Sequence, residues 1–232
     1  PALYNRGETL LKLGQFSDAI DAYNRVLEIS PHNHEALFGK GIAHLRLLHD
    51  QEALDTFREA LGYDPLRPGL WLNKGIALAN LGLQDEAIES FNQAIVLDPG
   101  LTEATVRKSI ELIKIHRYEE AVLVLTRSVE EQPRDIWSWC YLGIGLSALD
   151  RYEEAVRAFD KTIEINRRCA RAFFEKGNAL IHLGKPLEAI ISYDLALEIS
   201  PNNPQILYQK GIALTQRERY DDAIRAFEKS LD

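Results

Sequence analysis

One spacing governs this chain: residues 34 positions apart are alike from end to end. From Gly7 a small residue returns at Gly41, Gly75, Ser109, Gly143, Gly177 and Gly211. From Ala19 every landing is alanine: Ala53, Ala87, Ala121, Ala155, Ala189 and Ala223. From Tyr23 the column is bulky and apolar: Phe57, Phe91, Leu125, Phe159, Tyr193 and Phe227. The register never slips, and it divides the 232 residues into seven units, 1–33, 34–67, 68–101, 102–135, 136–169, 170–203 and 204–232. Such a period constrains the fold more than composition does. Each unit is one supersecondary element that cannot cover its own apolar face, so neighbours must stack.

Within a unit the apolar residues recur three and four apart, in two runs. Leu3, Gly7, Leu10 and Leu11 mark one helix face, and Ala19, Ile20, Tyr23, Val26 and Leu27 mark a second. Gly14 between them reads as a C-terminal stop, repeated at Gly82 and Gly184. Pro31, Pro65, Pro99, Pro133 and Pro201 close most units by disfavouring helix at the preceding residue, and Arg167 interrupts that series. The glycine and alanine columns let helices approach closely, and the Tyr23 column fills the space beside them.

In the third unit, Trp71, Gly75, Ala87, Phe91 and Pro99 carry a pattern that resembles the tetratricopeptide repeat (TPR) family, over the whole chain. The resemblance implies an all-α, right-handed superhelical solenoid of about seven helix–turn–helix units. One departure is systematic. The slot before the small residue, usually leucine in that family, holds Arg6, Lys40, Lys74, Lys108, Lys176 and Lys210, with only Leu142 conforming. A long aliphatic stem can pack there while its charge reaches water.

Composition excludes other classes. With 27 Lys and Arg against 35 Asp and Glu the net charge is −8, which argues against sequence-independent nucleic-acid binding. No apolar run approaches the roughly 18 residues of a membrane span. The two cysteines, Cys140 and Cys169, make no disulfide framework or zinc spacing, and read as small apolar residues. An acid precedes every column alanine (Asp18, Glu52, Glu86, Glu120, Glu154, Glu188, Asp222), which suits the first turn of a helix better than acid–base chemistry. Gly143 and Gly145 satisfy a loose dinucleotide pattern, but inside a helix rather than after a strand. His32 and His34 flank Asn33 in a connector without a further ligand. The expectation is no enzyme, no catalytic residue, no cofactor and no metal.

Function is then expected on a surface. In the resembled family the first helix of each unit lines a concave groove. Carried over residue by residue, the groove is Tyr4, Asn5, Phe38, Ile42, Leu72, Asn73, Ile76, Val106, Arg107, Ile110, Tyr141, Ile144, Phe174, Asn178, Tyr208 and Ile212. This is an apolar and aromatic strip with a polar margin, and it suits a peptide or helix of a partner protein. Each aromatic anchor buried by a partner is worth roughly 1.5–3 kcal/mol before ordering costs. The clamp of Lys, Arg and Asn that some TPR domains use on acidic chaperone tails is not reproduced, because the Tyr4 column holds no lysine.

The fourth unit departs most, with Thr105 where Trp71 and Trp139 stand, Ser109 in the glycine column and Leu125 in the aromatic one. Its Arg107, Lys108, Lys114 and Arg117 add a basic cluster, read as a solvated face or a contact for an acidic partner at a soft mid-array junction. Pro1 opens the chain without an initiator Met or signal segment, and the last unit stops at Asp232, so a fragment of a longer, cytoplasmic chain is expected. The lysine–glycine style resembles prokaryotic or archaeal members. The leading reading is a non-enzymatic interaction scaffold. Its rivals are a homo-oligomer stacked through terminal repeats, and the regulatory arm of a multidomain enzyme or sensor.

Overall fold

The computed structural model describes residues 2–231. The expectations that touch Pro1 and Asp232 lie outside them. Among the described residues there are fourteen α-helices and no strand, the all-α helical-repeat solenoid expected from the period. They group into two compact units, Pro1–Ile115 and His116–Asp232. The first holds α1 (Ala2–Lys12), α2 (Phe16–Ile29), α3 (His34–Arg46), α4 (Asp50–Tyr63), α5 (Pro68–Asn80), α6 (Gln84–Leu97) and α7 (Thr102–Lys114). The second holds α8 (Tyr118–Glu131), α9 (Ile136–Ala148), α10 (Tyr152–Ile165), α11 (Ala170–His182), α12 (Pro186–Ile199), α13 (Pro204–Gln216) and α14 (Tyr220–Leu231).

The repeated residues form a repeated lock. A Cβ at Gly75 would lie 2.5 Å from Cε1 of Phe91, and Gly143 meets Phe159 and Gly177 meets Tyr193 at the same 2.5 Å. Gly7, Gly41 and Gly211 receive the ring edges of Tyr23, Phe57 and Phe227 likewise. A side chain at these glycines would push the ring out of the gap between paired helices. The column alanines are buried beside those rings, six with no exposure and Ala223 at 2%. Trp71 and Trp139 each donate their indole N–H to the carbonyl of the connector proline six residues back, Pro65 at 2.8 Å and Pro133 at 2.9 Å. The threonine at their register position, Thr105, has no such donor to offer.

Each hairpin turns through a residue of positive φ. Gly14, Gly82 and Gly184 supply it as their type suggested, but Leu48, His116, Asp150 and Glu218 occupy the same column at φ 58–62°. At Leu48 the turn closes by His49 N–H to His44 C=O at 3.0 Å and Leu48 N–H to Leu45 C=O at 3.1 Å. The same pair of bonds recurs at Gly14, Gly82, Asp150, Gly184 and Glu218, which is the Schellman arrangement.

The first-turn acids stand where the dipole favours them, several also paired with a basic residue three positions earlier: Arg117–Glu120 at 2.5 Å, Arg151–Glu154 at 2.7 Å and Arg219–Asp222 at 2.5 Å. The basic column does more than carry its charges to water. Lys176 holds Asp160 at 2.6 Å and Lys210 holds Asp194 at 2.5 Å, each tying an odd helix to the even helix before it. Lys74 instead lies over the Trp71 ring, 4.7 Å from its centroid, and burial lowers its pKa.

Candidate functional site

Within each unit every even helix packs only against its odd neighbours, whereas consecutive odd helices also touch one another: α1–α3, α3–α5, α5–α7, α9–α11 and α11–α13. The odd helices are therefore the close-set inner layer, and their inner faces are the candidate binding surface.

In the first unit Tyr4, Phe38, Ile42, Asn73, Ile76 and Ile110 are half-buried, and Asn5 and Arg107 are exposed. Leu72 and Val106 offer little groove surface, at 6% and 8% exposure. Tyr4 and Asn5 line a cleft of about 860 Å³ with Ala2, Ile29, Asn33 and Glu35. Phe38 is roofed by the Arg67 guanidinium, 4.3 Å above its ring, and Arg67 is held in turn by Glu35 at 2.9 Å. Arg107 bonds Glu103 one turn earlier, and Lys114 bonds Glu111 at 2.8 Å. With Arg117 on Glu120, the basic cluster of the fourth repeat is largely engaged by its own carboxylates, which removes the reason to assign it an acidic partner.

In the second unit Tyr141, Ile144, Asn178 and Ile212 are half-buried and Tyr208 is 50% exposed. Phe174 is 9% exposed and packs on Tyr193, ring centroids 6.1 Å apart, so only an edge of it is left to line a cleft. Asn178 is committed internally, its Oδ1 accepting from the Tyr193 hydroxyl at 2.9 Å and its amide donating to Glu175 at 3.1 Å. Tyr23 likewise donates to Glu8 at 2.8 Å. Where the aromatic slot is phenylalanine, as at Phe57, Phe91, Phe159 and Phe227, the facing slot is Ile42, Ile76, Ile144 or Ile212. The polar pairs thus serve buried hydroxyls, a covariation visible in the sequence and unread there.

The sequence reading left Trp137, Arg171 and Gln205 out of the groove. Trp137 is 53% exposed, one turn before Tyr141 on the same helix face. Arg171 stacks over the Tyr141 ring at 4.9 Å and donates to its hydroxyl at 3.0 Å. Arg171 and Gln205 line a cleft of about 420 Å³ with Phe174, Glu175, Asn203 and Ile206. Burial there pushes the Glu175 carboxyl above its usual range, against the pull of Asn178 and Arg171. A further cleft of about 660 Å³, on α12, α13 and α14, touches none of the expected groove residues. Among the described residues no three His, Cys, Asp or Glu side chains gather as metal ligands, and no helix is long and apolar enough to cross a membrane.

The comparisons agree with this geometry. Family models described as tetratricopeptide repeat match residues 1–33, residues 50–102 together with 142–204, and residues 192–225. No curated protein matches the chain in sequence. Among solved structures it resembles a tetratricopeptide repeat protein from Parabacteroides merdae at TM-score 0.78 and 18% identity, covering 99% of this chain and 91% of that one. It resembles YrrB, described as a TPR protein with an unusual peptide-binding site, at TM-score 0.67 and 19% identity, over 82% and 98% of the two chains. MamA from strain MSR-1 aligns at TM-score 0.58 and 26% identity, over 70% and 94%. A fold of this kind is consistent with a protein–protein interaction scaffold, and repeat proteins of this type are generally non-enzymatic. The chain belongs to the tetratricopeptide repeat family.

Proposed function

We propose that the chain is a non-enzymatic scaffold that binds a segment of a partner protein along the inner faces of its odd helices. The observation that carries this reading is the inner face of the second unit. There Trp137 and Tyr208 stand half in water, and Arg171, laid over Tyr141, borders the cleft with Glu175. Exposed aromatic side chains on α9 and α13, with a fixed guanidinium on α11 between them in sequence, suit a segment with apolar anchors and a carboxylate. The peptide-binding description of YrrB, a fold relative, points the same way.

The test is selection of peptides from a displayed library on the folded chain, followed by anisotropy titration of the winners. Tyr208→Ala and Arg171→Glu each weaken binding about tenfold or more, the value of one lost anchor or charge. Ile191→Ser on the outer face of α12, where Ile191 is 60% exposed, leaves it unchanged. Equal affinities for all three variants would sink the reading. A second reading, stacking between copies, draws on α14, where Ile224 is 54% exposed although Ile190, at the same register position in α12, is 6% exposed. Light scattering of Ile224→Asp separates it: a mass that falls relative to the parent supports stacking, and a monomeric parent rejects it.

A further inference from the structure

The outer face of α12 breaks the pattern of the repeat. Leu187, Ile191 and Leu195 stand four residues apart on one helix face and are 51%, 60% and 36% exposed. At these three register positions the other six repeats carry charged or polar side chains, with Leu123 the one exception. On its other side α12 buries Ala189, Ile190, Tyr193 and Ala196. A helix with apolar residues on both sides is ordinarily covered on both. Among the described residues α12 packs against α11 and α13 alone, which leaves the outer stripe bare.

The even helices before and after α12 carry one charge order at the same three positions. On α10 the exposed residues are Glu153, Arg157 and Lys161, and on α14 they are Asp221, Arg225 and Lys229. Both rows therefore run from an acid near the helix N-terminus to a lysine near the C-terminus, with the apolar row between them in the repeat order. Each central arginine has an acid of its own, Glu154 acting on Arg157 and Asp222 bonding Arg225. Lys161 reaches Glu164 at 2.7 Å, an exposed pair of the kind that exchanges partners at little cost.

Such a surface is complementary to itself turned end over end. A two-fold axis in the plane of contact, running across the helices, lays α12 antiparallel on α12 of a second copy and sets α10 and α14 against their own counterparts. Leu187 then meets Leu195 of the second copy and Ile191 meets its own equivalent. Glu153 meets Lys161 of the second copy, and Asp221 meets Lys229. A parallel pairing instead sets α10 against α14, acid on acid and base on base, which the charges oppose.

We propose that the outer face of α12 is a self-association surface, pairing two copies of this chain antiparallel about Ile191. Three apolar side chains per copy fall short of the roughly 800 Å² per partner of a standard stable interface, so the pair is reversible and concentration-dependent. The charged rows set its orientation more than its strength. No inner-face residue takes part, and neither does Ile224, so the pairing is independent of both readings of function above.

The test is light scattering of the chain over a concentration series reaching the high-micromolar range, where the mass should climb toward that of two chains. Ile191→Asp should weaken association about tenfold or more, while leaving any peptide bound on the inner faces unaffected. Glu153→Lys should weaken it about threefold or more, since the altered pair occurs twice in each dimer, and Glu153→Lys with Lys161→Glu should restore it. Orientation is read by oxidative cross-linking and peptide mapping. Ile191→Cys should link to itself. Leu187→Cys should link to Leu195→Cys in a mixture but not to itself, because its own equivalent lies about 12 Å away along the helix, beyond disulfide reach. Circular dichroism checks that each variant keeps its helix. A parent that stays monomeric throughout would assign the stripe to another occupant, such as a partner helix, and overturn the proposal. A dimer that persists unchanged in Ile191→Asp, or Leu187→Cys linking readily to itself, would overturn it equally.

Discussion

Replacing Glu8 with isoleucine should destabilise the first repeat, and replacing Tyr23 with phenylalanine in the same chain should restore it. Tyr23 is fully buried, its ring edge sits against Gly7, and its hydroxyl donates to Glu8 Oε1 at 2.8 Å. Glu8→Ile leaves that hydroxyl in the packed interior without an acceptor, at a cost of about 1–3 kcal/mol. The half-buried isoleucine returns part of this as apolar burial, so the net loss should be about 1–2 kcal/mol. Tyr23→Phe alone leaves a carboxylate that water still reaches, and costs about 1 kcal/mol or less. The double variant has the Ile–Phe pairing of the second, third, fifth and seventh repeats and should lie close to the parent. The readout is native-state amide exchange in α1 and α2, where 1–2 kcal/mol is roughly a 5–30-fold change in local opening. If the double variant exchanges as fast as the two single effects added together, the hydroxyl–carboxylate pair is not what the repeat retains Glu8 for.

Other consequences follow from the same geometry. Gly75→Ala places a methyl 2.5 Å from the Phe91 ring and should lower stability by about 1–3 kcal/mol, with Phe91→Leu recovering much of it; urea unfolding of the three variants decides. Leu48→Gly relieves a leucine at φ 60° and should gain about 0.5–1 kcal/mol, whereas Leu48→Ala should not; thermal melts compare them. Glu111 is 4% exposed, with one carboxylate oxygen lacking a partner, in a column otherwise held by Thr9, Ala43, Ala77, Gly145, Ala179 and Ala213. Glu111→Ala should therefore raise the urea midpoint, by about 1 kcal/mol or more in stability. Because burial raises the Glu175 pKa in the folded chain above its unfolded value of about 4.3, its ionisation at neutral pH opposes folding. Its contribution to stability should rise as pH falls through the raised pKa and level off below the unfolded one. Glu175→Gln should be more stable than the parent at pH 7 by a margin that shrinks toward about pH 4.

The period made the paired helices legible in all seven repeats and the ring-on-glycine packing in six, since each is local to one repeat and restated along the chain. The turns were legible only where the residue was glycine. Leu48, Asp150 and Glu218 adopt the same backbone because the register demands it, and residue type alone hides that. The groove was read less well because a column is not a surface. Leu72, Val106 and Phe174 share the inward column with Tyr208, yet they are 6%, 8% and 9% exposed and Tyr208 is 50% exposed. Trp137 and Arg171 sit one turn nearer the helix N-termini, where neighbours no longer crowd them, in a column the sequence reading did not follow.

The central claim, that the inner faces of the odd helices receive a partner segment, is tested most directly by hydrogen-exchange footprinting with a selected peptide bound at saturation. The account predicts slowed exchange confined to odd helices, with α9, α11 and α13 foremost, and unchanged exchange at the exposed faces of α10, α12 and α14. Protection centred on those even helices instead would contradict it.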